Sequence, residues 1–182
     1  MTTVLGFDVS SSTTGYCFLD YNDKNKVSLL KLDYIKPIKT GTIIERLVDT
    51  RNKIKDIIEE TKPDIIAIEE IIAFMKGSST ANTIITLTSF NRMIGLAAYD
   101  YLQRSPEMFS VLQIRHGIRR AADLKKLPAK EDLPNIMEKL LKIKFPWEYN
   151  KKGKQIIENY DKCDALCVAF YCATKDTLSK KK

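Results

Sequence analysis

Two carboxylate residues stand at the ends of apolar segments that have the character of β-strands. Asp8 lies at the end of the segment at residues 3–9, and Glu69 ends the apolar run that begins at Ile65. A carboxylate in apolar surroundings is costly to bury unless a cation meets it. Each position therefore predicts an acidic side chain that needs a cationic partner.

A second acidic pair falls near the start of the last predicted helix. Asp161 and Asp164 are three residues apart, and side chains with that spacing lie on one face of a helix. Taken alone, such a pair can simply complement the positive end of the helix dipole. Gathered with Asp8 and Glu69, it would form a group of carboxylates that repel one another unless divalent cations bind between them.

Such a group of carboxylates suits metal-assisted hydrolysis of a phosphodiester. Mg²⁺ takes oxygen ligands and commonly bridges carboxylates to substrate phosphates. Two ions roughly 3.5–4 Å apart can position an attacking water and stabilise the leaving 3′-oxygen. We expect Asp8 to bridge both ions, Glu69 and Asp164 to hold one each, and Asp161 to add a ligand or orient the water.

The positive charge of the chain is concentrated in one region. The net charge is +7, and between residues 115 and 154 basic side chains outnumber acidic ones by twelve to five. A basic surface attracts polyanions, above all nucleic acid. The charge alone also fits a ribosome-associated or membrane-surface protein, so it supports a nucleic-acid substrate without establishing one.

The elements that position these residues follow from the apolar pattern. Strands are predicted at residues 3–9, 16–19, 27–32, 64–70 and 111–114. Helices are predicted from a Thr42 capping box to Pro63, from Ser78 or Ser79 to about Gln103, and at 131–143 and 160–175. The stretches 116–130 and 144–154 are predicted to be basic loops.

The order βββαβαβα is that of the α/β RNase H-like fold, a mixed five-stranded sheet with helices on both faces. Strands one and four are neighbours at its centre, which would place Asp8 beside Glu69. The 182 residues suit one domain, and no internal repeat or low-complexity linker divides them. We predict one nuclease domain over residues 1–176 and a basic C-terminal tail over residues 177–182.

The cysteines and the apolar runs bear on the compartment of the protein. Cys17, Cys163, Cys167 and Cys172 have neither the spacing of a zinc site nor that of a disulfide framework, so we expect buried, reduced thiols. No apolar run reaches the roughly 18 residues of a membrane span, and the N-terminus lacks a basic signal-peptide region. We expect a cytoplasmic protein of a bacterium or a phage-infected host, without a membrane partner.

Three segments resemble the RuvC-type Holliday junction resolvases, the crossover junction endodeoxyribonucleases. Their order, spacing and near-complete coverage of the chain make the match more specific than any single motif. The composition, rich in lysine and isoleucine, suggests a phage or prophage member. The segments are Leu5-Gly6-Phe7-Asp8 with Ser11 and Thr14-Gly15-Tyr16, then Asp64-x-x-Ala67-Ile68-Glu69, and Asp161-x-x-Asp164-Ala165-Leu166-Cys167-Val168-Ala169.

The resemblance implies a homodimer that binds four-way DNA junctions and nicks two opposing strands with Mg²⁺, for which Mn²⁺ can substitute. Other branched DNA can also be a substrate. The resemblance places Lys130 beside the scissile phosphate as a further catalytic residue, although an ordinary surface lysine is the alternative. The side chains that we expect to contact DNA are Phe74, Lys76, Arg115, Arg119, Arg120, Lys125, Lys126 and Lys130.

The chain also departs from the family pattern. Ile72 stands nearest to the position of a junction-stacking aromatic, and Phe74 either takes that role through a shifted loop or belongs to the core. The aromatic and lysine-rich segment 144–154 is longer than in typical bacterial members, and it either clamps DNA or packs on its own domain. Strand alternation does not choose between Glu69 and Glu70, whereas the family spacing favours Glu69.

Three other functions share parts of this pattern. RNase H-like nucleases that process structured RNA share the first strand and a late Asp. A junction-binding module that does not cut could use the same fold, although all four acidic positions are filled here. The segment from Gly6 to Gly15 also resembles the phosphate-binding hairpin of sugar kinases and actin, but those ATPases need two such domains.

Overall fold

A computed structural model describes residues 1–22, 26–71 and 80–180. The chain begins with an antiparallel meander of β1 (Thr2–Val9), β2 (Thr14–Tyr21) and β3 (Val27–Ile35). Helix α1 (Ile43–Thr61) leads to β4 (Ile65–Glu70), which is parallel to β1, and α2 (Ala81–Leu102) leads to β5 (Glu107–Ser110), parallel to β4. The sheet order is β3-β2-β1-β4-β5, which confirms the predicted fold.

Three helices follow the sheet. They are α3 (Val111–Ala121), α4 (Leu133–Leu141), which a short 3₁₀ turn at Lys130–Asp132 precedes, and α5 (Glu158–Lys180). Helices α3, α4 and α5 pack on one face of the sheet, and α1 and α2 pack on the other. The predicted boundary at residue 177 lies inside α5, where Leu178 is buried.

The alternation of side chains along β1 and β4 assigns each residue to one of these two faces. Leu5 and Phe7 pack with α1 and α2, whereas Val4 packs in the α5 core. In β4, Ile66 and Ile68 join the first group and Ala67 joins the second. Asp8 and Glu69 therefore point to the α5 side, in line with Val4 and Ala67.

The predicted start of α1 is confirmed in detail. The Thr42 hydroxyl accepts a hydrogen bond from the Glu45 backbone N–H at 3.2 Å, and the Glu45 carboxylate accepts one from the Thr42 N–H at 2.6 Å. The predicted cap of α2 at Ser78 or Ser79 is wrong, because the Thr80 hydroxyl accepts from the Thr83 N–H. Ser78 and Ser79 lie outside the described residues.

The predicted fifth strand at 111–114 is wrong. The strand is Glu107–Ser110, and the predicted residues begin helix α3. Ser110 and Gln113 form a capping box, in which each side chain accepts a hydrogen bond from the other residue's backbone N–H. These two N–H groups therefore begin a helix and do not continue the ladder of β5. The predicted basic loop at 116–130 is accordingly helical as far as Ala121.

The prediction of buried, reduced cysteines is confirmed, since all four are free and buried. Among the described residues, we find no helix that combines the length and the apolar character needed to cross a bilayer.

Candidate active site

Asp8 and Glu69 are neighbours because of the register of the two central strands. Phe7 pairs with Ile68 in the parallel β1–β4 ladder, so Asp8 and Glu69 are the next residues along adjacent strands. Both point to the α5 side, at the carboxyl ends of the strands. Glu70 points the other way and is exposed, so the geometry agrees with the family spacing in selecting Glu69.

Helix α5 brings the other two carboxylates to this place, and a glycine allows its close approach. Gly15 pairs with Asp8 across the β1–β2 ladder. A Cβ at Gly15 would lie 2.1 Å from the Asp161 carbonyl oxygen, closer than atoms can come. The absence of a side chain beside Asp8 therefore lets the first turn of α5 rest on the sheet.

The four predicted carboxylates line a single cleft of about 450 Å³. Lys130 enters this cleft from the 3₁₀ turn, and Arg115 enters it from α3. The remaining lining residues, which the sequence analysis did not select for this site, are Val9, Ser10, Glu70, Ile71, Leu87 and Val111.

Burial raises the pKa of each carboxylate in the cleft, and the charges of neighbouring carboxylates add to the rise for Asp8, Glu69 and Asp161. Burial raises the pKa of Asp8 well above its usual value, and the charges of Asp164, Glu69 and Asp161 raise it further. Burial, and then the charge of Asp164, raise the pKa of Glu69 from 4.5 to about 7. Burial likewise raises the pKa of Asp161 and Asp164. This cluster therefore favours a proton or another cation between its members.

Lys130 supplies a positive charge inside the cluster. Its Nζ lies 2.6 Å from Asp164 Oδ2, and its charge lowers the pKa of all four carboxylates. Burial opposes the charged form of Lys130, but Asp164 raises its pKa overall. Arg115, which lines the cleft from α3, also lowers the pKa of Glu69 and Asp164.

The donor set suits a hard divalent cation, because carboxylate oxygens are the ligands that Mg²⁺ and Mn²⁺ prefer. The described residues nevertheless contain no group of three or more His, Cys, Asp or Glu side chains already arranged to hold a metal ion. In this arrangement Asp164 pairs with Lys130 instead. The four carboxylates and their mutual repulsion fit a divalent ion, while the Asp164 side chain is oriented toward Lys130.

Of the other residues predicted to contact DNA, the four that the structure describes do not line the cleft. Arg119 is half-buried on α3, whereas Arg120, Lys125 and Lys126 are exposed. Lys125 and Lys126 line a separate groove, which Lys139 also borders. Phe74 and Lys76 lie outside the described residues.

Two buried polar residues on α5 were not predicted from the sequence. Lys162 is 1% exposed and Asn159 is 0% exposed, and both hold the segment that precedes the helix. Lys162 is spaced three, four and seven residues before Ala165, Leu166 and Ala169, which are buried. A lysine on the apolar face of a predicted helix was therefore a visible signal.

The family model described as crossover junction endodeoxyribonuclease RuvC matches residues 4–171. The chain belongs to the RuvC family. The RuvC protein of Endomicrobium trichonymphae is 25% identical over 147 residues, which are 74% of this chain and 76% of that protein. The RuvC protein of Caldicellulosiruptor saccharolyticus is 28% identical over 148 residues, 74% of this chain and 87% of that protein.

Solved RuvC structures share the fold. T. thermophilus RuvC in complex with a Holliday junction substrate superimposes with a TM-score of 0.70 at 14% identity, covering 97% of this chain and 96% of that one. The yeast mitochondrial Holliday junction resolvase gives a TM-score of 0.67 at 16% identity, covering 99% and 81%. The predicted membership of the RuvC-type junction endonucleases is thus confirmed.

Proposed function

We propose that this RuvC-family chain nicks four-way DNA junctions by hydrolysing a phosphodiester with Mg²⁺ held by Asp8, Glu69, Asp161 and Asp164. The observation that carries the proposal is the meeting of these four carboxylates in one cleft, where burial and the charges of the other three raise the pKa of Asp8. A fold that gathers mutually repelling carboxylates in one cleft is best explained by a cation that binds among them during catalysis.

The ion supplies a water of lowered pKa and stabilises charge on the leaving 3′-oxygen, and Mn²⁺ can replace Mg²⁺ in that role. Asp8, on the central strand β1, would hold the ion together with Glu69 from β4 and Asp164 from α5. Asp161, one helical turn before Asp164, completes the ligand set or orients the water.

Lys130 and Arg115 provide the contacts to the phosphate. Once Asp164 holds an ion, the Lys130 Nζ that now contacts its Oδ2 is free to donate to a substrate phosphate oxygen. Arg115 borders the same cleft and offers several N–H donors in a fixed plane. Both cations would hold the scissile phosphate against the carboxylates, which by themselves would repel it.

We propose a homodimer as the working unit. Resolving a four-way junction requires nicks in two opposing strands, and each chain has one carboxylate cleft in its described part. Two copies would present two clefts to one junction.

The test compares Asp8→Asn with Asp56→Asn, a matched control on the exposed face of α1. Asp8→Asn should lower the rate of junction nicking by at least about 10³-fold, and the variant should still bind the junction in a gel shift. Asp56→Asn should cut like the wild type. Nicking by Asp8→Asn at the wild-type rate would remove the mechanism.

The same assay separates the other candidate functions. Four-way DNA, linear duplex DNA and structured RNA are incubated with the wild type, with and without Mg²⁺. Nicking of four-way DNA that depends on Mg²⁺ supports the proposal. Cleavage of the RNA alone would favour an RNA-processing nuclease, and binding without nicking would favour a module that only recognises junctions.

A further inference from the structure

Buried polar side chains fasten the segment before α5 to that helix. Lys162 Nζ donates to the Pro146 carbonyl oxygen at 2.8 Å and contacts Glu148 Oε1 at 2.7 Å. The Asn159 side chain donates to the Glu148 carbonyl oxygen at 2.8 Å and accepts from the Glu148 N–H at 3.1 Å. Burying a charge and an amide is costly without partners, and here both are fully engaged in holding one segment.

Aromatic packing completes this attachment. Phe145 is 2% exposed, and its ring lies 4.8 Å from that of Trp147, which in turn lies 6.4 Å from the ring of Tyr160. Of the two alternatives left open for this segment, packing on its own domain is the one observed for Phe145 and Trp147. Tyr149 differs, because it is 57% exposed.

Residues 149–155, which we call the basic hairpin, extend from this fixed base. Tyr149 and Gln155 form an antiparallel bridge. Asn150 Oδ1 accepts hydrogen bonds from the Lys152 N–H at 2.9 Å and the Lys154 N–H at 3.1 Å, so the turn is ordered by its own side chain. The side chains that it presents to solvent are those of Tyr149, Lys151, Lys152 and Lys154.

The basic hairpin lies at the same edge of the sheet as the cleft, on the side away from Arg115. It comes just before the first turn of α5, where Glu158 pairs with Lys36 after β3, and the charge of Glu148 reaches Tyr34 in β3. Arg115 follows β5, at the opposite end of the sheet. Positive side chains therefore flank the central Asp8 on both sides.

We propose that the basic hairpin is a second DNA contact, which takes backbone phosphates of a duplex arm as it leaves the cleft. This inference rests on the proposed function. Lysine ammonium groups bind phosphates without reading sequence, and the exposed ring of Tyr149 offers a flat face to a sugar or base. Because the hairpin is already ordered, binding costs little additional loss of freedom.

The test measures binding of a four-way DNA junction by fluorescence anisotropy over a range of salt concentrations, in an Asp8→Asn background. Each phosphate contact contributes about 0.9 to the slope of log affinity against log salt. The double change Lys151→Ala and Lys152→Ala should therefore reduce the slope by about 2 and weaken binding by roughly tenfold or more at low salt. In the same assay, Tyr149→Ala should weaken binding and Tyr149→Phe should not.

The matched control is Lys26→Ala with Lys62→Ala. Both lysines are exposed, and they lie at the opposite edge of the sheet, at the β2–β3 connection and the end of α1. The control removes the same charge and should leave the slope unchanged.

Equal slopes for the two double variants would overturn the proposed role of the hairpin. That outcome is distinct from failure of the proposed function, which shows as an absence of nicking by the wild type. Binding in the Asp8→Asn background does not depend on cutting, so each result can fail without the other.

Discussion

Lys130 acts on all four carboxylates of the cleft at once. Its charge lowers the pKa of Asp8, Glu69, Asp161 and Asp164, and it contacts Asp164 directly. At 2.6 Å the contact is that of a charge-assisted hydrogen bond. Lys130 therefore favours the ionised form of each carboxylate, which is the form that would bind a divalent ion.

Replacing Lys130 with Met tests this role. Without the ammonium group, the carboxylates should hold protons to higher pH, and the acid limb of the pH–rate profile for nicking should move to higher pH. The maximal rate should also fall by roughly 10²-fold, since a donor to the phosphate is lost.

Lys139→Met provides the control for that experiment, because Lys139 is an exposed lysine on α4 outside the cleft. Its pH–rate profile should match that of the wild type. A Lys130→Met enzyme that loses rate with no displacement of the acid limb would show that Lys130 contacts substrate without tuning the carboxylates.

At the scale of single residues, the acidic cluster was predictable because Asp8 and Glu69 end apolar segments and because Asp161 and Asp164 share one face at the start of a helix. The choice of Glu69 rather than Glu70 rested on the family spacing alone. Its physical reason is that Ala67 and Ile68 face different cores, which is seen only when the helices are packed on the sheet. The roles of Asn159 and Lys162 could not be derived, since their partners lie in the segment before α5. These partners are the backbone of residues 146 and 148 and the Glu148 carboxylate, and no periodic pattern encodes such contacts.

Helix α5 is the element on which the cleft depends, and its distance from the sheet is set by glycines. A Cβ at Gly6 would lie 2.7 Å from the Ala169 backbone nitrogen, and one at Gly15 would lie 2.1 Å from the Asp161 carbonyl oxygen. Since backbone atoms obstruct both positions, a side chain could be accepted only by moving the helix. Such a movement would carry Asp161 and Asp164 away from Asp8.

Gly15→Ala is therefore expected to impair both stability and activity. Overpacking of this kind costs about 1–3 kcal/mol of unfolding free energy, which a urea titration would measure. The nicking rate at saturating Mg²⁺ should fall as well, because two of the ligands have moved.

Gly95→Ala is the matched control, because nothing lies within 4 Å of a Cβ at this position in α2. Alanine there should stabilise the helix by roughly 0.5–1 kcal/mol and leave nicking unchanged. If Gly15→Ala behaved like Gly95→Ala, close docking of α5 would not be what assembles the cleft.

At the scale of elements, the meander and most helices were predictable, including α4 and α5, whereas residues 107–121 directly after α2 were not. A short apolar run such as 111–114 fits a strand or a helix equally well by periodicity. The Ser110-x-x-Gln113 capping box was visible in the sequence and favours the helix. That error matters for function, because the helix is what carries Arg115 into the cleft.

In the molecule as a whole, packing in the two hydrophobic cores offsets the repulsion among the carboxylates of the cleft. The buried residues on either side of the sheet hold β1 and β4 together, and α5 closes over them. Folding thus forces the four carboxylates together, and the unfolded chain lets them separate. The stability of the metal-free protein should consequently depend on the protonation of the cleft.

The sign of that dependence follows from the pKa of Glu69, which folding raises from 4.5 to about 7. Between these values the folded protein binds more protons than the unfolded chain, so its stability falls as the pH rises. In EDTA, the unfolding free energy of the wild type should drop by about 1–3 kcal/mol between pH 5 and pH 8. This is less than the free energy that corresponds to the whole pKa shift of Glu69, because the cleft is open to water, which screens the charges.

Glu69→Gln and Glu59→Gln, measured in parallel, identify the source of this loss of stability. Glu69→Gln should flatten the decline and be more stable than the wild type at pH 8 in EDTA, because the amide carries no charge to bury or to repel. Glu59→Gln, a change at an exposed glutamate of α1 that does not line the cleft, should keep the wild-type slope. At pH 8, saturating Mg²⁺ should raise the unfolding free energy of the wild type by more than it raises that of Glu69→Gln. The reason is that an ion that binds only the folded state stabilises that state, and Glu69→Gln has lost one ligand. If Glu69→Gln and the wild type declined in parallel, the carboxylates would not be held under repulsion, and the main physical reason for placing metal ions between them would be lost.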